Sequence, residues 1–305
     1  MNKMISLMLL VVLYLVSPLN AQAPTGCSYD ATEILYTCSA RAWVLPLAYA
    51  SFSSIEPQRI LLKDLSGTLA SNTFSGFSSI NTGAFDSKYI PSLHMRCYAN
   101  SQIIIDAAAF TDFGYMDEVK IIDCDILSLP ADVFAFFGEV NLFHIVGGSI
   151  TNMVPDAFKG LDVKKMTQYD NPLGEFAIIN SQLVSGGLAF GALYNMPSVE
   201  RVRIENAHLL VTQVDMFQAL TKMKYLSLNS NAFTKIDNNM FLQLKALGQV
   251  DLFNIQWYCS CDYLWFLDYA RENNITLNGD IVCNEPVAVD SKYQYNSYLS
   301  NLHIV

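Results

Sequence analysis

The chain has 305 residues, 52% of them hydrophobic and 15% charged, and its 28 Asp and Glu against 18 Lys and Arg leave a net charge of -10. That balance excludes nucleic acid as an expected partner, because displacing counterions from a phosphate backbone takes clustered cations. It also argues against docking on anionic membranes.

The chain opens with Lys3 and a 13-residue apolar run, Met4 to Val16, before Pro18. The run is short for a membrane span and suits a signal peptide covering 1–21, cut after Ala21; an uncleaved anchor is the alternative. No second run of membrane length follows. The ending Asn301-Leu302-His303-Ile304-Val305 offers neither a stop-transfer segment nor a lipid-anchor signal, so a secreted, extracellular protein with no membrane span in its mature chain is expected. All seven cysteines lie beyond the signal segment, where disulfides form, and their odd number leaves at least one thiol free or bound to another chain.

Cys27 to Cys38 reads as a short hairpin closed by a Cys27–Cys38 disulfide, a cover for the naked first face of a stack. The stack itself is clearest at Met223-Lys224-Tyr225-Leu226-Ser227-Leu228-Asn229-Ser230-Asn231-Ala232-Phe233. Here apolar residues fall at positions one, four, six and eleven, with Asn at nine. Leu226 and Leu228 alternate as in a half-buried strand, and Asn231 turns its amide into the bend to satisfy open backbone groups. Further fourth positions fall at Ile60, Leu93, Val119, Val140, Met166, Val202 and Val250. With Leu226 they give successive intervals of about 33, 26, 21, 26, 36, 24 and 24 residues, most of which fit repeats of about 20–29 residues. The longest interval, with Gly174, Gly186, Gly187 and Gly191, reads as a convex loop or as a missed turn. Phe110, Phe134, Phe158, Phe217 and Phe241 recur on the return paths and should stack into a buried spine, each contributing about 2–3 kcal/mol of transfer free energy. After Cys261, the run Tyr263 to Ala270 reads as a helix across the open end.

These features resemble the secreted leucine-rich repeat family with cysteine-rich caps, most strongly from Val199 to Pro286. The resemblance implies an α/β solenoid with a curved parallel sheet on its concave face and an irregular convex side. It divides the chain into an N-terminal cap over 22–56, about eight repeats over 57–254, and a C-terminal cap and tail over 255–305. It also implies a Cys259–Cys283 bond. The family's second cap bond lacks a partner here, which leaves Cys261 as the odd thiol, either buried beneath Trp265 or available as a covalent link to another chain. Cys97 and Cys124, at positions eight and nine of adjacent repeats, stand within reach of a disulfide across a strand spacing of about 4.8 Å, or are two buried thiols.

No catalytic constellation is legible. The four histidines are scattered, Cys259-Ser260-Cys261 lacks a second metal-binding pair, and no glycine-rich stretch sits in a phosphate-binding frame. The chain is therefore expected to be non-enzymatic, to need no cofactor, and to bind an extracellular protein or glycan-bearing ligand. Its candidate anchors are large or charged side chains projected from the concave strands, namely Phe143, Tyr169, Arg201, Arg203, Tyr225 and Phe253. Arg201 and Arg203 between Glu200 and Glu205 read equally as a self-compensating charged face. Secreted arthropod leucine-rich proteins, which include the non-catalytic subunit of a luciferase, are similar in layout, so an accessory subunit of a secreted enzyme is the alternative. Asn274-Ile275-Thr276 is the one acceptor sequon of the mature chain, which makes Asn274 the expected glycosylation site.

Overall fold

A computed structural model of the chain describes residues 24–41, 47–48, 51–52, 59–71, 73–77, 92–99, 101–111, 113, 116–137, 139–165, 173–194, 196–213, 215–258, 264–279 and 281–283. The expected signal segment, Tyr169, Cys259 and Cys261 lie outside them, as does the side chain of Cys283.

Eleven strands form the main path of one sheet. They are β1 (Cys27–Asp30), β2 (Leu35–Ser39), β3 (Arg59–Leu65), β4 (Ser92–Cys97), β5 (Met116–Ile126), β6 (Glu139–Ile150), β7 (Glu175–Ile179), β8 (Arg201–Glu205), β9 (Tyr225–Ser227), β10 (Gln249–Asp251) and β11 (Thr276–Asn278). All neighbours on this path are parallel except β1 and β2, whose antiparallel hairpin is closed by the Cys27–Cys38 disulfide. One register runs the length of the solenoid: Tyr36, Ile60, Leu93, Val119, Phe143, Phe176, Val202, Leu226, Val250 and Leu277 lie side by side. Each is the fourth position of its turn. Fourth and sixth positions point inward, and third, fifth and seventh point out to the concave face, as the pleat requires.

This ladder corrects two expected registers. Val140-Asn141-Leu142 imitates the apolar alternation of a strand core, but the inward pair is Phe143 and Ile145, both 0% exposed, and Leu142 faces out. The next turn is centred on Phe176 and Ile178, not on Met166. A long spacing therefore falls before β7, between Phe143 and Phe176, equal to that between Ile60 and Leu93, and the long interval expected after Met166 dissolves.

The strands end at a turn in the left-handed region, where a non-glycine side chain is tolerated best as Asp or Asn. Position eight holds this conformation in seven of the eight repeats: Asp64, Asp123, Gly147, Asn180, Asn206, Ser230 and Asn254, with φ between 47° and 73°. At the following position, Asn231 accepts hydrogen bonds from the Ala207 and Leu209 amides at 3.1 Å and donates to the Ile204 and Leu228 carbonyls. The earlier turns carry Cys124, Gly148 and Ser181 there instead. Without an asparagine to satisfy the bend, the backbone groups pair with each other, and β5 and β6 run on round the corner. They are joined by Gly67–Leu69, Gln102–Ile105 and Gln182–Leu183 in a second parallel wall along the flank. Gly148 is obligatory in that wall, because a Cβ there would run into the Cys124 carbonyl. Cys97 and Cys124 are bonded, with Cα atoms 5.0 Å apart.

All five phenylalanines of the return paths are 0% exposed. Phe74, Phe110, Phe134 and Phe158 stack at 5.5–5.8 Å between ring centroids. Just beyond the first three of these in the chain, Phe77, Phe113 and Phe137 form a second column with spacings of 5.0 and 5.1 Å. The helix of the C-terminal cap, α1 (Trp265–Glu272), lays Trp265 and Tyr269 against Phe241 and stacks Phe266 on Trp257.

One buried polar residue ties the long interval down. Asn141 is 1% exposed; its amide donates to Asp117 at 2.8 Å, and its carbonyl accepts from the Leu173 and Gly174 amides at 3.0 and 3.1 Å. Asn141→Ala strands these groups and should cost about 2 kcal/mol, read as a lower guanidinium midpoint with faster hydrogen exchange at Leu173 and Gly174. Unchanged exchange at those amides would contradict the role.

Candidate functional site

The concave face divides into two halves of different character. In the C-terminal half, the outward side chains of β6 to β11 form one chain of contacts. Glu175 on β7 is its hub, with a side chain only 5% exposed. Arg201 Nε donates to its Oε2 at 3.1 Å, Arg203 stands 3.6 Å from Oε1, and His144 Nε2 lies 3.1 Å from the same oxygen, off the hydrogen-bond direction, so that contact is electrostatic. Burial by itself raises the Glu175 carboxyl; the His144 and Arg201 contacts and the charges of His144 and Arg203 outweigh it and hold the group at about 2.

Arg203 also donates from Nε and Nη2 to the two oxygens of Glu205, at 3.0 and 2.8 Å, a bidentate pair that raises its already high pKa. The Arg201 guanidinium lies 4.1 Å above the centre of the Tyr225 ring. Tyr225 donates to Asp251 at 2.6 Å, and Asp251 accepts from Gln249 at 2.9 Å and Asn278 at 2.8 Å. Burial first, then the Asp251 carboxylate, pushes the Tyr225 phenol up to about 12. The structure thus brings Arg201, Arg203 and Tyr225 together and engages each with a neighbour on the same face.

The N-terminal half is different. Glu118 is held at about 2 despite burial, through His94 Nε2 at 2.6 Å and Lys120. Beyond them, Lys63 and Arg96 occupy seventh positions on β3 and β4, exposed and without an ion pair among the described residues. They follow the paired Leu62 and Met95 on neighbouring strands, where the ladder is interrupted by a bulge between Leu62 and Leu65. On the next three strands the same row continues as Ile122, Val146 and Ile179, register partners whose side chains are half-buried. The row is therefore two cations leading into a strip of branched aliphatics.

Of the expected anchors, Phe143 is withdrawn. It sits in the core at 4.8 Å from Phe134 and 5.9 Å from Phe176, because the register places it at position four. Phe253 is at position seven of the last repeat and 45% exposed. Asn274 lies in the turn after α1, exposed, with φ 55°. Glu175, His144 and the Ile122–Val146–Ile179 row escape a sequence reading that slips by three positions over 140–146. The Asx and Gly residues at position eight carry the missing signal, since counting back four from Gly147 and Asn180 gives Phe143 and Phe176. No group of three or more His, Cys, Asp or Glu side chains converges to hold a metal among the described residues, and no helix there is long and apolar enough to cross a membrane.

A leucine-rich repeat family model matches residues 197–254. Among solved structures, a chain of the Toll–Spatzle complex from Drosophila is 13% identical with a TM-score of 0.45, over 75% of this chain and 31% of that one. The present chain thus spans under a third of its length. Human trophoblast glycoprotein (Wnt-activated inhibitory factor 1) is 14% identical with a TM-score of 0.44, over 87% of this chain and 93% of that one. A chain of a TLR13–ssRNA13 complex is 14% identical with a TM-score of 0.31, over 77% and 46%. The family match covers the most regular turns, and the same strand register extends from them to both ends of the described stack and to its disulfide-closed first hairpin. The chain is a leucine-rich repeat solenoid, with a family match over 197–254 and a first hairpin closed by a disulfide.

Proposed function

We propose that the chain is an extracellular, non-enzymatic binding protein. Its contact surface is the N-terminal and central part of the concave face, centred on Ile122, Val146 and Ile179 and flanked by Lys63 and Arg96. The observation that carries this reading is the row itself. Three half-exposed aliphatics on adjacent strands, next to two cations with no ion pair among the described residues, are groups that gain by being covered. They are mounted on a frame that loses little entropy on docking. The C-terminal half of the face has already met its own charge requirements, so Arg201, Arg203 and Tyr225 serve the frame. The partner chemistry that fits is an extracellular protein or glycan-bearing ligand presenting an apolar group beside carboxylates.

The Cys27–Cys38 and Cys97–Cys124 disulfides favour an oxidising compartment. The carboxyls at about 2 and the phenol at about 12 stand far from the neutral range in which a general acid or base works best, which supports a non-catalytic face. The test is affinity recovery of tagged protein with its associated chains from the fluid into which it is released. Val146→Glu should lower recovery of the main associated chain at least ~10-fold, about 1.4 kcal/mol, while Phe190→Glu, at an exposed position away from the concave face, leaves it unchanged. Retention of the same chain by Val146→Glu would overturn this placement. An associated chain with its own enzymatic activity would favour the accessory-subunit reading instead.

A further inference from the structure

We propose that Asn274 carries an N-linked glycan and that this glycan closes the free edge of the concave sheet to a second copy of the chain. The two ends of the sheet are finished differently. At the start, β1 folds back antiparallel over β2 and is pinned by Cys27–Cys38. At the other end, β11 pairs with β10 and has no further strand beside it among the described residues. The Thr276 amide donates to the Gly248 carbonyl at 2.9 Å and the Asn278 carbonyl accepts from Leu252 at 2.7 Å, so residues 276 and 278 bond inward. The alternation of a parallel ladder then directs the Leu277 N–H and C=O outward.

An outward pair of this kind is a template for another strand, and edges are ordinarily blunted by a charge, a proline or a covering segment. Ile275-Thr276-Leu277-Asn278-Gly279 contains neither a charge nor a proline, and its first three residues suit a strand. The chain's one mature sequon begins immediately before it. Asn274 is exposed in the left-handed region, its side-chain amide makes no hydrogen bond among the described residues, and Thr276 of the same sequon is exposed. The chain from Asn274 to Leu277 reaches ~10 Å at most, so a branched sugar on Asn274 stands over the edge. The polar barrier that this edge lacks in its own side chains is supplied by modification.

The inference rests on the extracellular reading, since only a translocated chain meets the glycosylation machinery. The full chain is expressed in secreting eukaryotic cells and recovered from the medium. Intact mass is measured before and after native treatment with a peptide N-glycosidase, and molar mass in solution is followed by light scattering over rising concentration. The expected result is one glycan on a monomer, and a shift towards twice the chain mass once the glycan is removed enzymatically. Thr276→Val, which deletes the sequon and keeps a β-branched residue, should show the same shift; Thr276→Lys, which deletes the sequon but charges the edge, should stay monomeric. Chain in the medium without a glycan overturns the inference and leaves the binding reading standing. A deglycosylated chain that stays monomeric overturns the edge role alone. A chain absent from the medium overturns the extracellular reading and this inference together.

Discussion

Glu175→Ala should destabilise the protein by ~3–5 kcal/mol, the usual result of removing one member of a buried ion pair and leaving the others without their counter-charge. Few concave-face positions should be so sensitive. Glu175 lies under the side chains of three neighbours, and its loss leaves Arg201 and Arg203 on one strand without their shared counter-charge and His144 without its partner. Glu175→Gln, which keeps the shape and two polar atoms, should fall between the alanine variant and wild type. Acid gives the independent check. Glu175 and Glu118 both stand at about 2 in the folded chain against an ordinary 4.5. Each binds its proton more weakly when folded, so the stability it contributes is complete above about pH 4.5 and is lost as pH falls through 2. Thermal midpoints should therefore drop across that window in the wild-type chain and drop less in Glu175→Ala. A variant within ~0.5 kcal/mol of wild type, as for an ordinary surface substitution, with an identical acid limb, would remove Glu175 from its position as hub.

The second large effect is expected at Phe134. Its ring touches Phe110 at 5.8 Å, Phe143 at 4.8 Å and Phe158 at 5.5 Å, and Phe137 stands 6.3 Å away. Phe134→Ala opens a cavity that the neighbouring turns cannot fill, because each is held by its own strand on one side and its own ring column on the other. A loss of ~4 kcal/mol follows. Phe190→Ala is the matched control, since Phe190 is 60% exposed and surface truncations usually stay within ~0.5 kcal/mol. Equal losses at both positions would mean that the column is not the core of the stack.

The contrast between these residues shows what a sequence displays of such a fold. The turns at Val202, Leu226 and Val250 are legible because apolar residues recur at every inward position and Asn231 marks the bend. Phe134 and Phe158 are legible as well, since aromatics set one repeat length apart fall on the same face of successive turns. Glu175 is not legible. Over 140–146 the chain offers Val140, Leu142, Phe143 and Ile145 to two possible alternations, and burial alone cannot choose between frames of opposite parity. The choice is made by backbone geometry at Gly147 and Asn180, where only residues tolerant of a positive φ can end the strand. Once the frame is misplaced, inward and outward sets exchange. A core phenylalanine then looks like a surface anchor, and a buried carboxylate disappears into a loop. Side-chain partners across strands, such as His144 and Glu175 on neighbouring turns, add no local pattern that could correct the slip.

The second wall along the flank has a mechanical consequence. Between Gly67 and Leu183 the solenoid is hydrogen-bonded on two of its sides, and a tether at Cys97–Cys124 crosses the junction. Shearing one turn past the next there requires both ladders to break together. Beyond Ala207 that second ladder does not continue among the described residues, and the flank is joined by the Asn231 side chain and by isolated backbone bonds such as Ala232 to Leu209 at 3.0 Å, which yield one at a time. Under tension applied at its two ends, the molecule should behave as a stiff rod joined to a more compliant one. Thermal bending should concentrate in the turns after β8, and the surface formed by Ile122, Val146 and Ile179 should keep its shape while the far end flexes.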